Sequence, residues 1–161
     1  MSDHRAPRRR NRIDGQFSAR TIEMMESPAF LALSLAGRRI LDRLEIEMAH
    51  HGGNDNGRLP VTFDQFVEYG IHRHSIGPGL REVCALGFVE ITEHGRAGNA
   101  EWRRPNRFRL TYRRVGNAKG TDEWRNIRTM EQAETIARAA RQKKNKSPVP
   151  VFANSQCGFH H

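Results

Sequence analysis

The stretch LPVTFDQFVEYGIHRHSIGPGLREVCALGFVEI, residues 59–91, decides how this chain is read. Pro60 has no amide donor, so the extended piece Arg58–Val61 belongs at a sheet edge. Thr62-Phe63-Asp64-Gln65 fits a capping box, in which the Thr hydroxyl and the Gln side chain satisfy each other's orphan amides. Phe63, Phe66 and Val67 supply an apolar face, Gly70 stops this short helix, and Ile71 follows as a buried hinge. A second helix runs from His72 to Leu86, with Ile76, Leu80, Val83 and Cys84 on one face and Gly87 as its C-cap. In Phe88–Thr92, Val89 and Ile91 share a face opposite Glu90 and Thr92, the alternation of a half-buried strand.

Upstream, Ser27-Pro28 is an N-cap followed by proline at the first helical position. Ser34 opens a stronger pattern in which Leu33, Gly37, Ile40, Leu41, Leu44 and Met48 recur at helical spacing. That helix stops near Gly52-Gly53, and Asn54–Gly57 is turn chemistry. Downstream, Arg107–Arg113 alternates with Phe108, Leu110 and Tyr112 inward and arginines outward, after a polar loop from His94 to Asn106. Thr129-Met130-Glu131-Gln132 is another capping box, opening an amphipathic helix to about Arg141 with Met130, Ala133, Ile136, Ala137 and Ala140 on one side. The expected organisation is a basic flexible arm at 1–26, an α+β domain at 27–115, a linker at 116–128, the amphipathic helix at 129–141 and a disordered tail at 142–161.

Composition narrows the function. The 161 residues are 37% hydrophobic, below the roughly 45–50% of a fully packed chain, so part of the length is expected to stay unpacked. The formal net charge is +9, much of it from arginine, and such a charge favours an anionic partner, with nucleic acid the usual one. No apolar run approaches the roughly 18 residues of a membrane span, and no apolar stretch follows the basic N-terminus as a secretory signal requires. Cys84 reads as a core thiol and Cys157 stands alone, which points to the reducing cytoplasm. A phosphate-binding glycine loop, HExxH, a nucleophile elbow and a CxxC pair are all missing from the sequence, so no enzyme activity, cofactor or metal is expected. His72 and His74, two residues apart, would diverge on a helix.

The order of elements, with residues 59–91 at its centre, resembles the winged helix-turn-helix proteins of bacteria. In that family a capped short helix, a Gly-Ile turn, a helix with a polar N-terminus and a Leu-Gly-apolar exit into the first wing strand occur in this succession. Here they are Thr62–Tyr69, Gly70-Ile71, His72–Ser75 and Leu86–Val89. The resemblance implies a three-helix core with a two- or three-stranded β wing, and binding of double-stranded DNA as a transcriptional regulator. Plasmid and phage replication initiators carry similar modules, and winged helices also serve as protein-interaction modules. It further implies that His72, Arg73, His74 and Ser75, with Arg81 a turn on, face base edges, and that Arg73 suits a bidentate contact to guanine.

Gly77-Pro78-Gly79 interrupts this helix, because an interior proline costs about 3 kcal/mol. Either Ser75 is the N-cap and His72–His74 stay in the turn, or the helix is kinked and its glycines let backbone approach DNA. The wing carries Arg96, Arg103, Arg104, Arg107, Arg109, Arg113 and Arg114 against Glu101, a set suited to phosphate oxygens. The helix at 129–141 is expected to dock on the domain or on a second copy as a homodimer contact.

Overall fold

A computed structural model of the chain describes residues 13–96 and 104–143. Among these residues it is an α+β protein with six α-helices and a three-stranded antiparallel sheet. The elements are α1 (Ile22–Glu26), α2 (Pro28–Leu31), α3 (Leu35–His50), β1 (Leu59–Val61), α4 (Phe63–Glu68), α5 (Arg73–Ala85), β2 (Val89–Glu93), β3 (Asn106–Leu110), a 3-10 turn at Glu123–Asn126, and α6 (Met130–Gln142). No helix among the described residues is long and apolar enough to cross a membrane.

Helix α3 forms where its cap and its apolar spacing agree. Ser34 accepts the Gly37 amide at 3.1 Å, and Ile40, Leu41, Leu44 and Met48 are buried along one stripe. Thr62 and Gln65 complete the expected capping box at the start of α4. Only Phe66 of α4 reaches the core, however; Phe63 and Val67 remain well exposed, because this short helix offers a single residue to the interior.

The sheet runs β1-β3-β2, with Pro60 in an edge strand, where its missing donor costs no ladder bond. Val61 lies opposite Asn106 and Leu59 opposite Phe108, while Val89 pairs with Leu110 and Ile91 with Phe108. The inward residues Leu59, Val61, Val89, Ile91, Phe108 and Leu110 are buried, and Phe66 meets Phe108 edge-on at 6.1 Å. The register slips between Ile91 and Glu93, so the β2–β3 hairpin bends as it leaves the body. Asn56, buried in the turn after α3, donates to the Leu110 carbonyl at 2.9 Å and accepts its amide at 2.7 Å, fixing that turn to β3.

Two expectations are corrected and one alternative is decided. Within the arm assigned to 1–26, the segment just ahead of α1 already bonds α3, Ser18 donating to Glu45 at 2.5 Å. Met24 of α1 is buried, and Arg20 reaches Asp42 at 2.5 Å and Glu45 at 3.0 Å on α3. The linker assigned to 116–128 contributes Trp124 and Ile127 to the core, and Trp124 stacks on Phe88 at 6.5 Å. Isolated apolar residues such as these carry no period by which sequence could place them. Of the two places offered for the apolar side of α6, it docks on the domain: Ala133 and Ala137 are fully buried, Ile136 and Ala140 are half-buried with Met130 left exposed, and α6 packs on α5 and α2.

Gly87 shows how tightly the 3-10 turn is docked. Its φ is +84°, and a Cβ there would sit 2.6 Å from the Trp124 nitrogen and 2.7 Å from the Glu123 carbonyl carbon. Both neighbours are backbone, so neither can swing aside. Gly87→Ala should lower the unfolding free energy by about 2–4 kcal/mol, from left-handed strain together with displacement of the 3-10 turn. Urea denaturation measures this, and an unchanged midpoint would contradict the docking.

Candidate nucleic-acid interface

Helix α5 begins at Arg73 with His72 as its N-cap, and Pro78 lies in its interior. The alternative of an N-cap at Ser75 is therefore corrected: Ser75 is a half-buried residue of the first turn whose amide bonds the His72 carbonyl at 2.8 Å. Burial accounts for the tolerated proline. Ile76, Leu80 and Val83 are packed in the core, and a Cβ on Gly79 would lie 2.8 Å from Ile40 Cδ1 and 3.4 Å from Ala36 Cβ. Gly79 thus permits the close crossing of α5 over α3, which corrects the idea that its backbone is kept bare for DNA.

The first turn of α5 projects from the body, with His72, Arg73 and His74 exposed. The two imidazoles lie 5.1 Å apart in a tilted pair, and His72 Nδ1 accepts the His74 amide at 3.4 Å. They can approach because His72 is the cap and sits outside the helical spiral. No group of three metal-ligating side chains occurs among the described residues. Arg73 pairs with Asp64 in the first turn of α4, each about 60% exposed.

That ion pair fixes the site's place in the fold. Asp64 is three residues after Val61, and Val61 lies opposite Asn106, the first residue of β3 on the hairpin side. The N-terminus of α5, the start of α4 and the stem of the hairpin therefore meet at one end of the protein. The hairpin is held there by Asn106, whose side-chain oxygen accepts the Gly95 amide at 2.6 Å, a role invisible in a polar loop sequence.

On the hairpin, Arg96 and Arg104 exchange both backbone bonds, at 3.0 and 3.3 Å. A hydrogen-bonded antiparallel pair of this kind has its Cα atoms about 5.5 Å apart and both side chains on one face. Both arginines are exposed, with no ion pair among the described residues, and directly opposed like charges are destabilising. Arg107 lies nearby, loosely paired with Glu93 at 3.3 Å and about half exposed. Arg103 lies outside the described residues, as do the arginines of the N-terminal stretch 1–12 and Cys157, His160 and His161 of the tail.

Three other arginines assigned to this surface are used elsewhere, and each is corrected. Arg109 is only 17% exposed; its guanidinium bonds Glu90 at 2.5 Å, Thr121 at 2.9 Å and Glu123 at 3.4 Å. The acidic residue opposite it in the sheet and the 3-10 turn above it capture the charge. Arg113 falls beyond the end of β3 and bonds Ser18 of the N-terminal segment at 2.9 Å. Arg81 Nε and Nη2 donate to the carbonyls of Ala140 at 2.9 Å and Arg141 at 3.2 Å, capping the C-terminus of α6.

The residue that sequence reading missed is Glu82, a fully buried carboxylate on α5. It accepts the Ser34 amide at 2.9 Å and the Ser34 hydroxyl at 2.5 Å, and it pairs with Arg141 of α6. Cys84, also on α5, is buried beside Glu90, and burial pushes its thiol up to about 12.

No family model, curated protein or solved structure matches this chain. Arg81→Ala should uncap α6, speeding hydrogen exchange in the last turn, 139–142, while the sheet amides keep their protection, at a cost of about 1 kcal/mol. Uniform protection in wild type and variant would show that Arg81 does not hold α6.

Proposed function

We propose that residues 35–110 form a winged helix-turn-helix that binds double-stranded DNA. The first turn of α5 would enter the major groove, and the β2–β3 hairpin would meet a neighbouring row of phosphates. The connectivity from α3 to β3 and the strand order β1-β3-β2 agree with that architecture. The observation that carries the reading is the exposed Arg96–Arg104 pair, which has no ion pair among the described residues, at the same end of the protein as the exposed His72-Arg73-His74 turn. Two guanidinium groups held side by side gain from an anion between them, and arginine's planar fork suits phosphate oxygens.

Arg73 is the residue assigned to sequence discrimination. Its partner Asp64 is as exposed as it is, and such a surface pair contributes only about 0–1 kcal/mol, so a guanine edge can displace it. Arg107 adds a third hairpin cation after release from Glu93. Further charge comes from the chain ends: residues 1–12 hold five arginines against one aspartate. A regulator of transcription is the role implied by the family resemblance, and sequencing of genomic fragments retained by the protein would identify its targets.

Fluorescence anisotropy with a labelled duplex tests the surface. Affinity should fall steeply with salt, and replacing both Arg96 and Arg104 by Gln should reduce the magnitude of the log–log slope by about 1.8, from roughly 0.9 per phosphate. Arg73→Ala should instead lower preference for a selected site over random duplex, by about 1–3 kcal/mol. Arg109→Gln should leave the slope unchanged. Equal affinity for single strands, or a slope untouched by the hairpin variants, would reject the assignment.

A further inference from the structure

β3 runs away from the hairpin, and its far end, roughly 13 Å along the strand from Asn106, leads into a second basic feature. Here Tyr112 and Arg113, the segment before α1 and the 3-10 turn enclose a cavity of about 310 Å³. Three arginines line it, Arg20, Arg113 and Arg125, together with Thr21, Tyr112 and Trp124. Asp122 is the one carboxylate in its lining.

The three arginines are not equivalent. Arg20 is neutralised by Asp42 and Glu45, and Arg125 by Glu23 and, at 3.6 Å, by Asp122. The Tyr112 hydroxyl is also spoken for, donating to Glu45 at 2.5 Å. Arg113 has no ion pair among the described residues, and one of its terminal nitrogens donates to the neutral Ser18 hydroxyl. Its Nε is buried and has no hydrogen-bond partner among the described residues. A guanidinium cannot shed its proton, so Arg113, which lines the cavity, keeps a buried charged donor with no acceptor among the described residues. Leaving such a donor unsatisfied is costly, and an anion removes that cost. Thr21 accepts the Met24 amide through its oxygen and keeps its own proton to donate.

We propose that this cavity binds the phosphate group of a small phosphorylated molecule, with Arg113 as its principal ligand and Arg125 and Thr21 completing the donor set. A phosphate presents several acceptor oxygens to donors that arrive from different walls, and the half-buried Arg113 meets it with a guanidinium that no carboxylate among the described residues neutralises. The bound group ties together three segments far apart in sequence: the stretch before α1, the exit of β3 and the 3-10 turn. The site stands at the opposite end of β3 from the proposed duplex surface and does not depend on it.

Isothermal titration of the full chain with inorganic phosphate and with glycerol 3-phosphate, at ionic strength held constant with chloride, tests the site. Saturable binding of one anion per chain is expected, with a rise in Tm that follows the same binding curve. Arg113→Gln should weaken binding by about ten- to a hundredfold, the effect of losing a charged hydrogen bond, while Lys119→Gln, at an exposed position outside the lining, leaves it unchanged. If Arg113→Gln does not fold, Arg125→Gln must still weaken binding, since that side chain is about half exposed and can be removed without opening the core. Absence of saturable binding to the wild type overturns the proposal, as does equal binding by the arginine variants. Loss of duplex affinity in Arg113→Gln, with duplex displacing phosphate, would assign Arg113 to the DNA surface and also overturn it.

Discussion

A carboxylate with no access to water holds the helical half of this protein in place. Glu82 projects from α5 toward the start of α3, where the first amides of a helix lack partners and carry partial positive charge. It takes both the amide and the hydroxyl of Ser34, the residue that caps α3, and receives Arg141 from α6 on its other side. Desolvating a carboxylate costs several kcal/mol, which only such a full set of partners offsets, and removing one partner of a buried pair typically costs about 3–5 kcal/mol. The constraint spreads to the sequence around it. A Cβ on Gly37 would fall 2.7 Å from Glu82 Oε2, so α3 needs a residue without a side chain one turn inside its cap.

The consequence for the proposed duplex surface is mechanical. The C-terminal half of α5 is fixed by Glu82, Val83 and Cys84 in the core and by the Gly79 crossing, while its first turn projects with His72, Arg73 and His74 exposed. A rigid rear half presents the front without a large ordering cost on binding. The interior Pro78 lies between the two halves, where the packing of Ile76 and Leu80 on either side outweighs its local penalty.

Sequence was most informative where a pattern repeats. Leu33 to Met48 and Ile76 to Cys84 read as helices because burial recurs every three or four residues, and Phe108 and Leu110 read as strand because it alternates. Thr62 and Gln65 announced their helix because a cap is a local interaction. The elements that were missed lack these signals. Trp124 and Ile127 are buried by docking against Gly87 and Phe88, and Met24 by a segment held through Arg20, contacts between residues distant in the chain. The candidate site was legible as a region, while the partner of each arginine was not. Glu90 faces Arg109 only through strand register, and Arg81 meets Ala140 only because α6 folds back onto α5.

Arginine count therefore overstates the proposed binding surface and arginine pairing corrects it. Arg20, Arg81, Arg109 and Arg141 hold elements together, so their charge is spent inside the fold. The arginines at the hairpin end are either unpaired among the described residues, like Arg96 and Arg104, or paired to exposed acids, like Arg73 with Asp64 and Arg107 with Glu93. These two kinds of cation suit different work. An unpaired guanidinium attracts any phosphate, which gives affinity without selectivity. In the proposed complex a guanidinium already answered by Asp64 would gain from a new partner only when that partner is better placed, so the acid would set a threshold that a guanine edge passes and a poorly aligned phosphate does not. In the proposed duplex complex the acidic residue beside Arg73 would contribute to selectivity as much as the arginine does.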